Sequence, residues 1–156
     1  MIKRFEIETL PEMYVAGLAV RTKNELEMNP ATAMIGPTWE RLRQIANPNP
    51  PAAIYTDFES DNAGYYTLVA GFLRKSAADF KAGEVMTKLP AGKYAKFLAV
   101  GPMPDAAINA WTQVWEAENS GSLKRAYASE IETYPDIAES MKNPDQMKVA
   151  VYISIK

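Results

Sequence analysis

The sequence contains two copies of one pattern. A Leu-Pro pair at 10–11 precedes an apolar run at 14–20, and a second Leu-Pro pair at 89–90 precedes a similar run at 94–100. A segment with a Trp follows each run, and sixteen residues beyond each Trp a Tyr opens a strand-like stretch. These aromatic pairs are Trp39 with Tyr55 and Trp111 with Tyr127. Two similar halves around a pseudo-two-fold axis leave a cleft, and such clefts often bind small ligands.

Hydrophobic periodicity gives each half the same plan of strand, corner, strand, helix, strand and strand. Strands are predicted at 3–9, 13–22, 52–58, 65–74, 84–89, 93–100, 124–134 and 147–155. One main helix in each half is predicted from apolar residues at helical spacing: Ile35, Trp39, Leu42 and Ile45 in the first, and Ile108, Trp111, Val114 and Trp115 over about 105–118 in the second. Asn29-Pro30 has the composition of a helix cap, whereas Pro37 indicates that the regular helix begins near it or kinks there. The polar segment 135–146 is expected to hold a short helical turn.

These elements predict an α+β fold with a mostly antiparallel sheet, built from tandem duplicated βαββ-type modules. We expect a single domain over 1–156, with one repeat over about 1–74, a polar connector at 75–83 and a second repeat over about 84–156. Neither half is expected to fold alone, because each would leave one face of its sheet bare for the other half to cover.

Charge and hydropathy exclude several classes of partner. The formal net charge is −2, whereas a nucleic-acid-binding domain usually carries a basic face. No apolar run reaches the roughly 18 residues that suggest a membrane span. The first residues lack the apolar core of a signal peptide. We therefore expect a cytoplasmic protein that binds neither nucleic acid directly nor membranes.

The absence of Cys and His restricts the chemistry further. A thiol nucleophile, a His-based triad and an ordinary zinc site are excluded. We predict no cofactor and no metal. Any catalysis would have to rest on Asp, Glu, Tyr, Ser, Thr, Lys or Arg side chains.

Three segments together resemble the GyrI-like small-molecule-binding domain. They are 89–95 (LPAGKYA) followed by Gly101-Pro102 and a Trp-bearing helix, 10–17 (LPEMYVAG), and the closing stretch 148–155 (KVAVYISI). That family includes the effector-binding domains of Rob-type and multidrug-sensing bacterial transcription regulators, and stand-alone proteins similar to the DNA gyrase inhibitor. The resemblance covers nearly the whole chain. Because the first strand begins next to Met1, we expect a stand-alone version that is not by itself a DNA-binding regulator.

The resemblance implies a ligand cleft between the two modules and ligands that are amphipathic, aromatic and often cationic. It also implies an acidic residue on the strand after the second helix, in a pattern like Glu-x-Tyr, which here is Glu132-Thr133-Tyr134. Family members often have an aromatic residue before that Glu, whereas this chain has Ile131. A carboxylate beside aromatic rings attracts a cation through charge and cation–π contact. The alternative is a solvent-facing Glu on an alternating strand, which is what we expect of Glu130.

The other candidate ligand-binding residues are mostly aromatic. Trp111 follows the 101–104 loop that would rim the cleft, while core packing is the favoured role of Trp39 and Trp115. Tyr152 stands on the less apolar face of its strand, as a cleft residue would. The remaining candidates are Tyr55, Tyr66, Tyr127, Tyr134 and Met103. Each Tyr could equally be a structural bridge, and each Met a core filler.

Three functions remain open from the sequence. The leading one is a cytoplasmic binder that sequesters or senses hydrophobic, aromatic and cationic compounds. The second is a hydrolase of strained electrophilic natural products, in which Glu132 orients or deprotonates water and Tyr152 or Tyr134 stabilises the oxyanion. The third, by similarity to the gyrase inhibitor, is a modulator of a protein partner.

Overall fold

A computed structural model describes residues 5–45 and 47–156 of the chain. Its strands are, in chain order, β1 (Glu6–Leu10), β2 (Met13–Thr22), β3 (Pro51–Thr56), β4 (Tyr66–Arg74), β5 (Val85–Leu89), β6 (Gly92–Gly101), β7 (Arg125–Thr133) and β8 (Met147–Ile155). Its helices are α1 (Asn24–Glu27), α2 (Ile35–Arg43), α3 (Asp105–Asn119) and α4 (Ile137–Ser140), and a 3₁₀ turn spans Pro144–Gln146. The α+β class is confirmed. Residues 3 and 4 of the first predicted strand lie outside the described residues. None of the described helices is long and apolar enough to cross a membrane.

The described strands form one antiparallel sheet in the order β1-β6-β8-β7-β3-β4-β2-β5. Strands β1 to β4 of the first half correspond to β5 to β8 of the second half. When each strand is replaced by its counterpart, the order read from the β5 edge is the same as the order read from the β1 edge. The halves therefore lie edge to edge about the β7–β3 pair, and the expectation that one half covers a sheet face of the other is wrong. Backbone hydrogen bonds join them instead, since β1 pairs with β6 and β5 pairs with β2.

Both main helices lie on the same face of this sheet. Ala53 of β3 pairs with Glu132 of β7, which in turn pairs with Val151 of β8. Directly paired residues share a face, and Ala53 and Val151 belong to the apolar clusters beneath α2 and α3 respectively. Since α2 packs over β2 and β4, and α3 over β6 and β8, a cleft remains above the central strands β3 and β7.

Helix α2 begins at Ile35, so the predicted cap at Asn29 is wrong. The Asn29 side chain instead accepts a hydrogen bond from the Ala31 N–H at 3.0 Å, which makes a local turn. The carboxylate of Glu27 accepts the first N–H groups of the helix, from Met34 and Ile35 at 3.0 Å. A carboxylate at that end also meets the positive end of the helix dipole. Pro37 falls in the first turn, where its missing N–H costs nothing.

Helix α3 packs on the sheet through small side chains. Its buried residues are Ala106, Ala110 and Val114, so the predicted stripe is right for Val114 and wrong for Ile108 and Trp115, which are 58% and 38% exposed. Small residues let the helix approach the sheet closely, and the larger apolar side chains are left for the cleft. The helix ends before Gly121, whose φ of +83° is the left-handed conformation favoured after a helix.

Candidate ligand-binding site

A cavity of about 1850 Å³ lies between α2 and α3. Its floor consists of side chains from β3, β4 and β7, namely Tyr55, Tyr66, Glu130 and Glu132. Apolar side chains of the two helices form its walls, namely Ile35 and Trp39 from α2 and Ile108, Trp111 and Trp115 from α3. Both halves of the chain therefore contribute to one site.

Glu132 is the central polar group of this cavity. Its side chain is on the helix-bearing face of β7, and the residue is 5% exposed. One carboxylate oxygen accepts a hydrogen bond from the indole Nε1–H of Trp111 at 2.7 Å. The other oxygen accepts a hydrogen bond from the Tyr134 hydroxyl. The Tyr of the Glu-x-Tyr motif thus donates a hydrogen bond to the Glu of the same motif, and Trp111 of α3 supplies the second donor.

Both of these donors are neutral, and no described Lys or Arg forms an ion pair with Glu132. Burial raises the pKa of this carboxyl above its ordinary range, and the bonds from Tyr134 and Trp111 only partly oppose that rise. A buried carboxylate without a cationic partner is costly. A cation that enters the cavity would therefore give Glu132 the positively charged partner that the described residues do not supply.

Aromatic rings surround Glu132. The ring of Trp111 meets that of Tyr55 edge-on, with centroids 4.9 Å apart, and Tyr55 in turn lies 5.6 Å from Tyr66. On the opposite wall, Trp39 meets Tyr134 edge-on at 6.0 Å. Edge-to-face pairs at such distances are favourable. They hold the two Glu132 donors in place and present ring faces and edges to the cavity.

Glu130 is the second carboxylate on the floor, and the prediction that it faces solvent is wrong. It is fully buried and makes a two-pronged ion pair with Arg125, whose Nε and Nη2 donate to the two carboxylate oxygens at 2.8 and 2.7 Å. Burial raises the pKa of Glu130, and the Arg125 guanidinium opposes that rise. The charge of Glu130 is thus balanced from within the protein.

A bulge in β7 makes this ion pair possible. Arg125 pairs with Ile155 and Glu130 with Ile153 on β8, so the β7 residues between them have no paired residue on β8. Tyr127, in this bulge, has a φ of +53°. Its ring lies 4.4 Å from the Arg125 guanidinium, and its hydroxyl donates to Glu118 of α3.

The structure brings most of the predicted site residues together. Glu132, Trp111, Tyr134, Tyr55, Tyr66 and Met103 all line the cavity, with Met103 at its rim. Tyr127 packs against Arg125 and Phe58 and does not line the cavity. Tyr152 projects from the face of β8 opposite α3 and lines a smaller cavity of about 450 Å³. Of the two tyrosines considered for hydrolysis, only Tyr134 contacts Glu132; hydrolysis and the protein-partner role stay predictions.

The sequence favours core packing for Trp39 and Trp115 and does not indicate a role for Arg125 or Glu118. Trp39 packs partly on the core beneath α2 but also lines the cavity, and Trp115 lines it while more than a third exposed. Arg125 gave no signal, because five positions separate it from Glu130, and an odd spacing places two residues on opposite faces of a regular strand.

Acidic groups outnumber basic groups around the cavity. The charged residues that line it are Glu27, Glu40, Asp61, Glu130, Glu132 and Asp145 on the acidic side and Arg43 and Arg125 on the basic side. Arg43 is paired with Glu40 and Arg125 with Glu130. The electrostatic character of the site therefore favours a cation over an anion.

Comparisons with known proteins agree with this arrangement. A family model described as integron-associated effector-binding protein (Cass2) matches residues 6–155. The chain belongs to this family, and the GyrI-like resemblance is confirmed. The chain is therefore a member of a family of effector-binding proteins.

Three relatives are similar over nearly their whole length. An integron cassette protein from the mobile metagenome of Vibrio cholerae is 30% identical, with a TM-score of 0.81 over 99% of this chain and 97% of that one. The structure of SAV2435 bound to tetraphenylphosphonium is 17% identical, with a TM-score of 0.70 over 99% and 94%. YobU of Bacillus subtilis, named as a candidate transcriptional regulator, is 26% identical over 90% of this chain and 91% of its own.

Proposed function

We propose that this chain is a cytoplasmic binder of hydrophobic, aromatic cations, which it sequesters or senses through the cavity between α2 and α3. The observation that carries the proposal is Glu132, a buried carboxylate with only neutral hydrogen-bond donors in a cavity lined by aromatic rings. A ligand cation would supply the missing positive charge in a medium where Coulomb attraction is stronger than in water. The rings would add cation–π contacts and apolar area.

The size and composition of the cavity support a ligand with several rings. Pockets for drug-sized ligands usually occupy about 300–1,000 Å³ and carry few polar groups, and this cavity exceeds that range. The related SAV2435 was solved with tetraphenylphosphonium, a cation with four aromatic rings. The same cation is therefore the natural probe for this chain.

Isothermal titration with two ions of the same shape tests the proposal. Tetraphenylphosphonium and tetraphenylborate differ in the sign of their charge but have the same four-ring envelope. We expect the phosphonium to bind at least about tenfold more tightly, and Glu132→Gln to weaken its binding by about tenfold or more, since that difference corresponds to about 1.4 kcal/mol.

The matched control is Glu25→Gln, which removes an exposed carboxylate outside the cavity. This variant should bind both ions as the unchanged protein does. Equal affinity for the two ions, or no response of phosphonium binding to Glu132→Gln, would contradict the proposal.

A further inference from the structure

The cavity floor carries two carboxylates at a spacing that could accommodate two cationic groups. Glu130 and Glu132 are two positions apart on β7, which is about 6.8 Å along a strand. They pair with Tyr55 and Ala53 of β3, so both are on the face that the cavity covers. Nothing in their spacing or orientation makes one a better cation site than the other.

Arg125 removes this equivalence. Its guanidinium donates to both oxygens of Glu130, and the residue as a whole is 6% exposed. It is held in place by Glu118, which is 3.5 Å from its Nη1, and by the ring of Tyr127 beneath it. Moving this side chain away so that a ligand could reach Glu130 would break two short charge-assisted hydrogen bonds.

The other carboxylates around the cavity are poor substitutes. Asp61, Glu40 and Asp145 are exposed, and exposed ion pairs contribute little. Glu27 is committed to the start of α2, where it accepts hydrogen bonds from Met34, Ile35 and the Thr22 hydroxyl. One buried carboxylate therefore remains for a ligand.

We infer that Arg125 is a specificity-determining residue that makes the cavity selective for monocations, by acting as the permanent counter-ion of Glu130. This inference rests on the proposed function and deepens it, because it states how many charges the ligand carries. A second cationic group would enter the cavity, lose water and find Glu130 already paired. A ligand with one delocalised charge meets no such cost.

Ethidium and propidium provide a matched pair of probes. They share one aromatic cation, and propidium adds a second ammonium group on a short alkyl chain. With the unchanged protein we expect propidium to bind no more than about threefold tighter than ethidium, measured by dye fluorescence at fixed ionic strength. An advantage of tenfold or more for propidium would overturn the inference without any variant.

Arg125→Gln frees Glu130 and should shift the affinity ratio toward propidium by about tenfold. The double variant Arg125→Gln/Glu130→Gln removes both charges and should return the ratio to that of the unchanged protein. An unchanged ratio in a folded Arg125→Gln variant would also overturn the inference. If this single variant does not fold, the ratio in the unchanged protein decides.

The two proposals fail in different ways. If neither dye binds, or if binding ignores Glu132→Gln, the proposed function itself is wrong and the inference falls with it. If both dyes bind through Glu132 but propidium is strongly preferred by the unchanged protein, only the selectivity assigned to Arg125 is wrong.

Discussion

Glu130 and Glu132 are two positions apart on one face of β7, and both are buried, at 0% and 5% exposure. Glu130 has an arginine on both of its oxygens, whereas Glu132 has an indole N–H and a phenol hydroxyl. We propose that these different partners give the two carboxylates different roles. A buried charge with an internal counter-ion is a structural element, and a buried charge with neutral donors is open to a counter-ion from outside.

The largest expected effect comes from breaking the internal pair. Arg125→Met should lower the free energy of unfolding by about 3–5 kcal/mol, because it leaves Glu130 buried and without a cation. Urea denaturation measures this. The double variant Arg125→Met/Glu130→Met should lose far less, since a buried ion pair replaced by apolar residues is often nearly neutral. A single variant that is no less stable than the double variant would contradict the structural role of the pair.

As pH rises, the contribution of Glu132 to the free energy of unfolding should decrease, and its contribution to cation affinity should increase. Its pKa is raised in the folded protein, so the native state binds this proton more tightly than the unfolded chain does. That stabilisation is fully present below the ordinary carboxyl pKa of about 4.3 and is lost as pH rises to the raised native pKa. The loss is about 1.4 kcal/mol for each pH unit that separates the two pKa values. Affinity for tetraphenylphosphonium should rise over the same interval as the carboxylate forms.

Urea denaturation from pH 4 to 8 on the unchanged protein and on Glu132→Gln isolates this contribution, because the other titrating groups are common to both. The stability of the unchanged protein relative to the variant should decrease with rising pH. A relative stability that increases with pH would mean that Glu132 has a lowered pKa and an internal cation.

A smaller effect is expected from the neutral donors. Tyr134→Phe removes one hydrogen bond to the buried carboxylate and should cost about 1–2 kcal/mol of unfolding free energy at pH 7. The chain contains its own control in Glu12 and Tyr14, which have the same spacing and the same hydroxyl-to-carboxylate bond but lie at the surface. Tyr14→Phe should have a clearly smaller effect in the same thermal or urea unfolding experiment. Equal effects would show that burial does not strengthen the bond.

The sequence predicts the order of strands and helices well because the spacing of apolar residues differs between a strand and a helix. Strand alternation and the Leu-Pro corners predict the order of elements in both halves, and the resemblance brings Glu132, Tyr134 and Trp111 to one cleft. The way in which the halves join is not local information. The alternation of apolar and polar residues along each strand is the same whether the halves pair edge to edge through β3 and β7 or pack one sheet face on the other.

The errors in the site have specific physical causes. The regular alternation that predicts β7 also places Arg125 and Glu130 on opposite faces, and only the bulge at Tyr127 brings them together. Helix α3 is apolar on more than one side, so its period does not decide whether Ala110 or Trp115 faces the sheet. In the structure the smaller side chain, Ala110, packs on the sheet, and the larger one, Trp115, lines the cavity.

The most direct test of the account is the pKa of Glu132 itself, with and without a bound cation. Carbon-detected NMR of the side-chain carboxyl, titrated in the free protein and in the presence of saturating tetraphenylphosphonium, measures it. We expect a pKa above the ordinary carboxyl range in the free protein and a decrease of about one pH unit or more when the cation binds. A pKa that is unchanged or higher in the complex would contradict the claim that Glu132 is the counter-ion of the ligand.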